Sequence, residues 1–462
     1  MLSPSDPPIS IPDLRAELRG RVIAPDDEGY DAARTVFVGG IDRHPAVIAR
    51  VADADDVSRV ISLARDSGLE LAVRSGGHSN GGLCVSEGGI VLDLSEMKDL
   101  QIDVEGRTAW AETGLTAGEY STAAGAHGLA TGFGDTGSVG IGGITLGGGI
   151  GYLVRKHGLS IDDLLAADVV TADGRLLRVD ADTEPDLFWA IRGGGGNFGV
   201  ATRFLFRLHD VPSIVGGILM LPATPEVITS FVAEAEAAPD ELTTIANVMK
   251  APPMPFIPEE HHGELAIFAL MAYAGDTDAG ERAVAPFRAL AEPLADMLRP
   301  MPYPEIYLPD EEDYHPLAVG HTRFADHLAE SAPATILDRI SSSSAMMAVT
   351  QIRVLGGAMA RVPADATAFA HRRSRLMVTV AAVYEQMEET PRHQAWVDDL
   401  SGTLLQDGAG AYVNFLNDEG EEGIREAYPD ATWDRLCSIK RKYDPHNLFH
   451  LNQNVPPASD GA

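Results

Sequence analysis

Between residues 53 and 208, short apolar runs of strand length alternate with segments whose apolar side chains follow helical spacing. In the segment VSRVISLARDSG, this spacing favours a helix that Asp55 caps and Gly68 ends. The run LELAVRSGG predicts a strand that enters a loop, and GGIVLDLS predicts another strand. This alternation is typical of helices layered on sheets.

Turn and cap signals in the same stretch predict further elements. LQIDVEGRTAWAETG predicts a hairpin with its turn at Glu105 and Gly106. Thr116 and Glu119 have the spacing of a capping box, which predicts a helix that ends near Gly128. DLLAADVVTADGRLLRVD predicts two strands joined by a turn, and EPDLFWAIRGGGGNFGVATRFLFRL predicts a helix, a glycine loop and a strand.

The pattern changes near Val211, where proline-rich loops and long amphipathic segments begin. TPEVITSFVAEAEAA and ERAVAPFRALAEPLADML each predict a long helix. Helix and strand segments continue to about residue 400, and a tail rich in aromatic residues and asparagine follows. The change predicts a second domain and a tethered C-terminal tail.

Composition and charge argue against several functional classes. The 462 residues include 68 acidic and 35 basic side chains, so the formal charge of -33 disfavours nucleic acid and anionic membranes as partners. No apolar stretch reaches the roughly 20 residues of a membrane helix, and the N-terminus lacks the basic and apolar regions of a signal peptide. Cys84 and Cys437 are expected to be free buried thiols in a cytoplasmic protein.

Glycine accounts for ten of the twenty residues from 132 to 151, which suits a backbone that closely approaches a ligand. The spacing G-x-G-x-x-G from Gly132 to Gly137 matches the dinucleotide fingerprint. We reject a Rossmann site because more glycines follow in place of a helix, and because His157 stands twenty positions on, where an acid is required. The N–H groups of this loop and of a second one, residues 74–82, can bind a pyrophosphate and an extended cofactor.

Other catalytic motifs do not occur in the sequence. The fourteen histidines form no metal-ligand pattern, so no metal site is predicted. No G-x-S-x-G motif occurs, which argues against a hydrolase. His78 stands in the first glycine loop and, on its local pattern alone, is an ordinary loop histidine.

Several longer motifs follow one another along the chain. They are RSGGHS (74–79), GIGGITLGGGIGY (140–152), DLFWAIRGGGGNFGV (186–200), YVN (412–414), YDPHN (443–447) and NQ (452–453).

In this order the motifs resemble the berberine bridge enzyme-like flavoproteins of the p-cresol methylhydroxylase and vanillyl-alcohol oxidase superfamily. The resemblance covers residues 35–215 and 405–457. It implies an α+β fold in three parts. These are an FAD-binding domain of two α/β subdomains of the p-cresol methylhydroxylase type (1–212), a substrate domain with an antiparallel sheet covered by helices (213–404), and a C-terminal segment (405–462) that returns to the FAD domain.

The resemblance further implies that the ring of His78 is joined to the 8α-methyl carbon of FAD. Thr136 stands where many relatives carry a cysteine that makes a second bond, so we expect covalent FAD through His78 only, unless Cys84 reaches the ring. Val139 matches a position facing the oxygen-reactive side of the flavin, where valine favours an oxidase; a plain core valine is the alternative. The residues expected to hold FAD are Arg74, Ser75, Gly76, Gly77, His78, Ser79, Thr136, Ser138, Val139, Gly140, Gly142, Gly143, Gly149, Gly151, Gly199, Val200, Tyr412, Asn414 and Asn452.

Hydride transfer from a C–H bond requires a group that takes the hydroxyl or amine proton. Tyr412 matches the tyrosine of the family's Y-x-N motif, and its pKa near 10 would have to be depressed by a neighbouring cation or by oxidised flavin. Relatives often place a polar residue on an earlier segment, but LMVTVAAVY is apolar here except for Thr379 and Tyr384. Stacking is therefore the alternative role of Tyr412, and Tyr384 and Glu385 are reserve candidates.

The resemblance thus predicts an FAD-linked oxidase that takes hydride from an alcohol or a similar C–H donor and is reoxidised by oxygen to give hydrogen peroxide. Sugars, polyketides and alkaloid-like secondary metabolites are substrates of the family. Two alternatives are a dehydrogenase with another acceptor and a flavin-binding protein without catalysis.

Overall fold

The N-terminal part of the chain forms a small mixed sheet with three helices. The structure, a computed structural model, describes residues 9–308, 314–404, 410–417 and 419–459. The elements are α1 Ile11–Glu17, β1 Arg21–Ile23, α2 Tyr30–Arg34, β2 Val47–Arg50, α3 Ala54–Ser67, β3 Leu71–Arg74 and β4 Ile90–Asp93. The strand order is β1-β2-β4-β3, with β1 antiparallel to β2 and the other pairs parallel. Buried Val57, Val60 and Ile61 of α3 pack into the core of this sheet.

The next part forms a five-stranded antiparallel sheet. Its elements are β5 Leu100–Asp103, β6 Thr108–Glu112, α4 Ala117–Gly125, β7 Leu129–Ala130, α5 Ile141–Gly147, α6 Val154–His157, β8 Leu164–Val170, β9 Leu176–Asp180, α7 Pro185–Ala190, β10 Val200–Arg207 and β11 His209–Asp210. The order is β5-β6-β10-β8-β9, and β7 pairs with β11. Tyr120, Phe133 and Phe206 meet edge to face in its core.

The third part is an eight-stranded antiparallel sheet whose one face is covered by helices, as predicted. Its elements are β12 Ile214–Pro222, α8 Pro225–Ala237, β13 Leu242–Lys250, β14 Leu265–Tyr273, α9 Thr277–Arg288, β15 Ala295–Asp296, β16 Arg299–Met301, β17 Leu317–Ala325, α10 Ala332–Ser342, β18 Met347–Val354, α11 Ala358–Arg361, β19 Leu376–Tyr384 and α12 Thr390–Leu404. The order is β15-β12-β14-β13-β18-β19-β17, and β16 pairs with β12. Because strand side chains alternate, Leu376, Val378 and Val380 pack under the helices while Met377 and Thr379 lie on the opposite face.

The C-terminal tail returns to the first two sheets through α13 Gly420–Ala427 and α14 Asp430–Tyr443. In α14, the fully buried ammonium of Lys440 lies 2.8 Å from Asp444 and donates to the carbonyl oxygens of Asn197 and Phe449. The carboxylate of Asp444 accepts from the N–H groups of Leu448 and Phe449. This paired charge fixes the tail against the glycine loop that precedes β10.

Local signals predicted most elements, and three details were wrong. Asp53, not Asp55, caps α3, although Gly68 ends it in the left-handed conformation as predicted. The capping box of α4 is present, but the helix ends at Gly125, three residues before Gly128.

The third detail is the segment ERAVAPFRALAEPLADML, which is one helix only as far as Arg288. Its second half instead contains the short strand β15. The proline at position 293 disfavours helical backbone at the preceding residue and cannot donate an N–H, so one helix cannot continue through the second half of the segment.

Three further expectations concern cysteines, membranes and boundaries. Cys84 and Cys437 are both buried free thiols, as expected. The part of the chain that the structure describes holds no helix that is both long and apolar enough to cross a membrane. The predicted boundary at 212 falls between β11 and β12, whereas the boundary at 405 and the termini 1–8 and 460–462 lie outside the described residues.

Candidate active site

A cavity of about 470 Å³ lies where the two glycine loops, the third sheet and the tail meet. It gathers fifteen of the residues predicted to hold FAD. These are Ser75, Gly76, Gly77, His78, Ser79, Thr136, Val139, Gly140, Gly142, Gly143, Gly199, Val200, Tyr412, Asn414 and Asn452.

The two glycine loops touch at Gly76 and Gly140. A Cβ on Gly76 would lie 2.2 Å from the backbone nitrogen of Gly140, and a Cβ on Gly140 would lie 2.2 Å from the nitrogen of Gly76. The carbonyl oxygen of Ser138 also borders Gly76, at 3.0 Å from that position. Glycine is therefore required for the contact, which makes one continuous backbone wall from two segments distant in sequence.

His78 lies on this wall, half-buried, and its ring stacks on Phe37 with centroids 4.2 Å apart and an interplanar angle of 19°. Phe37 also lines the cavity. The stacking restricts how the imidazole can turn. The sequence motif identified His78, but it gave no sign of Phe37, which lies about forty residues earlier.

Thr136, Val139 and Cys84 all border the same cavity. Thr136 and Val139 are half-buried, and Val139 directly precedes Gly140, the N-cap of α5. A Rossmann fingerprint requires a helix that opens at its third glycine, here Gly137. Because α5 begins only after Gly140, the structure agrees with the rejection of that fingerprint. Burial raises the pKa of the Cys84 thiol, which keeps it protonated and a weak nucleophile.

The hydroxyl oxygen of the buried Tyr412 accepts two hydrogen bonds. The backbone N–H of Gly149 and the side-chain amide of Asn414 each donate to it at 2.9 Å. Asn414 also donates to the carbonyl oxygen of Ile144 in α5, at 3.0 Å. The Y-x-N motif therefore acts as a unit, since its asparagine holds the phenol oxygen of its tyrosine.

Burial raises the pKa of Tyr412 above its usual value, and the hydrogen bonds from Gly149 and Asn414 and the charge of Arg353 lower it in part. The net shift is upward, opposite to the depression that a tyrosine base requires. Arg353 is, however, a neighbouring cation of the kind that the sequence argument called for. Two donated hydrogen bonds favour the phenolate for the same reason that an oxyanion is favoured by N–H donors.

The sequence did not single out Arg353, which reaches the cavity from β18 in the third sheet. Its guanidinium lies 2.7 Å from Asp135, which also lines the cavity. The available signal was an arginine inside the otherwise uncharged segment VTQIRVLGG, because a charged residue in a buried strand usually has a specific partner.

Four residues predicted to hold FAD lie behind the lining instead of on it. Arg74 pairs with buried Asp93 at 2.7 Å. Gly149 contacts Tyr412 through its N–H. A Cβ on Gly151 would lie 1.6 Å from the carbonyl oxygen of Phe133. Ser138 is the fourth, and its carbonyl oxygen borders Gly76.

Tyr384 and Glu385, the reserve base candidates, are not brought to this cavity. The Tyr384 ring stacks on His393, and its hydroxyl lies 2.8 Å from the Thr390 hydroxyl. Glu385 is exposed at the end of β19. Of the three base candidates, Tyr412 is the one that borders the cavity.

The tail contributes Asn452 and Gln453 to the cavity wall. Asn452 donates to the carbonyl oxygen of Phe449, and Gln453 donates to the carbonyl oxygens of Leu416 and Asn417. Gln453 thus ties the tail to the segment that carries Tyr412, whereas the hydrogen bond of Asn452 lies within the tail. The predicted tethering of the tail is thus explained.

Comparison with known proteins adds independent findings. The FAD binding domain family matches residues 45–180, and the berberine and berberine-like family matches residues 411–456. The chain is 31% identical to (R)-6-hydroxynicotine oxidase of Paenarthrobacter nicotinovorans, over 95% of this chain and 97% of the relative.

Two solved structures resemble the fold over nearly its whole length. The crystal structure of 6-hydroxy-D-nicotine oxidase from Arthrobacter nicotinovorans has a TM-score of 0.85 at 28% identity, covering 96% of this chain and 98% of that one. Chitooligosaccharide oxidase has a TM-score of 0.83 at 21% identity, covering 97% and 100%. At that identity, the second likeness concerns the fold alone.

Proposed function

Because this chain belongs to the berberine bridge enzyme-like family of FAD-linked oxidoreductases, we propose that it is an oxidase for an alcohol or a similar C–H donor, with oxygen as the acceptor and hydrogen peroxide as the product. The observation that carries the proposal is the cavity lined by both glycine loops. It brings His78, the two glycine loops and the Tyr412–Asn414 pair together.

The residues of the cavity fit FAD. Backbone from both glycine loops lines it, and a Cβ on Gly143 or Gly196 would meet no atom within 4 Å, so the wall is open at these points. Exposed backbone N–H groups of such loops suit a pyrophosphate. FAD supplies the redox chemistry when it is bound, and the protein supplies position and electrostatics.

His78 is the proposed point of covalent attachment, through its ring to the 8α-methyl carbon. The stacking partner Phe37 supports this role because it restricts the rotation of the imidazole. Thr136 has no thiol with which to make a second bond. The buried thiol of Cys84 is held protonated, which supports attachment through His78 only.

Tyr412 is the proposed acceptor of the substrate's hydroxyl or amine proton. Its oxygen is oriented by Gly149 and Asn414, and the positive charge of Arg353 favours the phenolate form. Burial of the ring excludes water, which strengthens these interactions. The proton would be taken at the Tyr412 oxygen while the C–H bond breaks.

One relative is named for hydroxynicotine and one structural neighbour for chitooligosaccharides, so this fold accommodates substrates of different chemistry. A cytoplasmic location is proposed from the two free, buried thiols.

Anaerobic mixing of the purified protein with a panel of alcohols and amines tests the proposal. Loss of the visible flavin absorbance, followed by rapid recovery and hydrogen peroxide formation when oxygen is admitted, supports an oxidase. Reduction without rapid recovery would assign the dehydrogenase instead. Failure of every donor to reduce the flavin would support a flavin-binding protein without catalysis.

A further inference from the structure

A row of polar side chains crosses the third sheet on the face away from its covering helices. Asn247, Gln351 and Thr379 lie opposite one another in register on β13, β18 and β19. Their neighbours Ala246 and Ile352 are buried under the helices. Because side chains alternate along a strand, the polar row lies on the opposite face, the face from which Arg353 reaches the cavity.

Hydrogen bonds fix the orientation of every polar group in this row. Asn247 donates to the carbonyl oxygen of Phe268 at 3.0 Å, and Gln351 donates to the amide oxygen of Asn247 at 2.8 Å. The Nε of Arg353 donates to the amide oxygen of Gln351 at 2.7 Å, and its Nη2 donates to Asp135 at 2.7 Å. The guanidinium is thus held by two of its three nitrogens.

The third nitrogen, Nη1 of Arg353, is buried and has no hydrogen-bond partner among the described residues. Arg353 is only 5% exposed, and its guanidinium lies 5.6 Å from the ring of Phe415. An unpaired buried donor of this kind is costly, and native proteins pair most such groups. The residue borders the cavity beside Tyr412, where a substrate would bind.

We propose that Arg353 recognises the substrate by donating a hydrogen bond from its guanidinium to an acceptor oxygen, of a carbonyl or carboxylate group, at a point away from the oxidised carbon. This inference rests on the proposed function and narrows its substrate class. A guanidinium only donates, so its partner must accept. Asp135 balances the charge, which lets a neutral carbonyl bind as well as a carboxylate, whereas an ammonium group finds no acceptor on the guanidinium and meets an Asp135 carboxylate that is already paired with it.

Three probes of equal ring size test this assignment in the flavin-containing protein. Acetophenone carries a neutral acceptor oxygen, benzoate carries an anionic one, and benzylamine carries a cation. Each is titrated with oxygen excluded while the visible absorbance of the flavin is followed. A perturbed spectrum of the oxidised flavin yields a Kd, and bleaching of the flavin would show that the probe binds as a donor. Acetophenone and benzoate should both perturb the spectrum and bind more tightly than benzylamine.

The variants Arg353→Gln and Arg353→Lys should weaken the binding of acetophenone and benzoate by about tenfold or more, the effect of losing a charge-assisted hydrogen bond. The lysine variant keeps the charge and guards against a loss of folding. Arg361→Gln serves as the matched control, because Arg361 is exposed on the same domain and pairs with Asp240 instead of lining the cavity. Its probe Kd values should equal those of the wild type.

Several results would overturn the assignment. They are unchanged Kd values in both Arg353 variants, tighter binding of benzylamine, and failure of both oxygen probes to bind the wild type. A shift of the flavin reduction potential in the Arg353 variants with unchanged probe Kd would assign the guanidinium to the cofactor instead. Protein that contains no flavin would overturn the proposed function, and this inference with it, whereas the other outcomes leave the proposed function intact.

Discussion

The side-chain amide nitrogen of Asn414 lies 2.9 Å from the hydroxyl oxygen of Tyr412 and 3.0 Å from the carbonyl oxygen of Ile144. The asparagine therefore links the phenol to α5. A Cβ on Gly147 would lie 2.0 Å from the side-chain oxygen of Asn414, so a glycine there is needed for the approach. Part of the glycine-rich segment thus makes room for this pair.

Replacing Tyr412 by Phe removes the proposed proton acceptor and keeps the ring. The rate of flavin reduction should fall by about a hundredfold to ten-thousandfold, the range for loss of a general base. Flavin content should stay unchanged, because the loss concerns a transition-state interaction. Anaerobic stopped-flow measurement with a donor found in the panel gives this rate directly.

The pH dependence of the same rate provides the control. The proton acceptor is the deprotonated phenol, and burial raises the pKa of Tyr412 above its usual value of 10.0. The wild-type reduction rate should therefore rise with pH into the alkaline range, and that rise should vanish in Tyr412→Phe. If Tyr412→Phe lowers the reduction rate by less than about tenfold and keeps the rise of that rate with pH, the role of Tyr412 is stacking.

Replacing Val139 by Leu should slow reoxidation of the flavin and leave its reduction unchanged. The larger side chain would narrow the passage for oxygen at a position that borders the cavity. Reoxidation is followed by mixing the reduced enzyme with aerated buffer. Val139→Ala is the control and should reoxidise at least as fast as the wild type. Equal rates in all three proteins would mean that Val139 is an ordinary core residue.

His157 lies outside the cavity, and its burial predicts that the stability of the protein depends on pH. Its ring stacks on His209 with centroids 3.8 Å apart, and burial, followed by the charges of His209 and Lys156, lowers its pKa to about 3. The unfolded chain, with a histidine pKa near 6.5, therefore binds a proton that the folded chain does not. Stability contributed by neutral His157 is present above about pH 6.5 and is lost progressively at lower pH.

Thermal melting at pH 7.5 and at pH 5.5 measures this effect. The two pH values lie about one unit above and below the pKa of histidine in the unfolded chain. The fall in Tm between the two should be smaller in His157→Gln than in the wild type. His127→Gln, at an exposed position, should behave like the wild type. An equal fall in Tm in all three proteins would mean that His157 does not cause the pH dependence of stability.

Sequence signals predicted those elements that are determined by residues close together in the chain. The capping box of Thr116 and Glu119 and the turn at Glu105 and Gly106 depend on residues within a few positions of one another, and both are present. The motif RSGGHS likewise placed His78 on a loop at the cavity. Such features are set by nearby residues and do not depend on the rest of the chain.

Features that depend on distant pairing were not predicted. Arg353 and Asp135 are 218 positions apart, and no local pattern couples a strand of the third sheet to a glycine loop. Tyr384 looked available for catalysis because it ends an apolar segment, but its strand carries it to Thr390 and His393. The alternation of β19 places Tyr384 on the helix-covered face together with Val380, and that register follows from the whole sheet.

The account depends most on His78 as the single covalent attachment point of FAD. Acid-precipitated wild-type protein should remain yellow, and a tryptic peptide that contains His78 should carry the mass of the flavin. His78→Ala should release its flavin into the supernatant, while Cys84→Ser should retain it. Free FAD in the supernatant of the wild type, or the flavin mass on a peptide that lacks His78, would contradict the account.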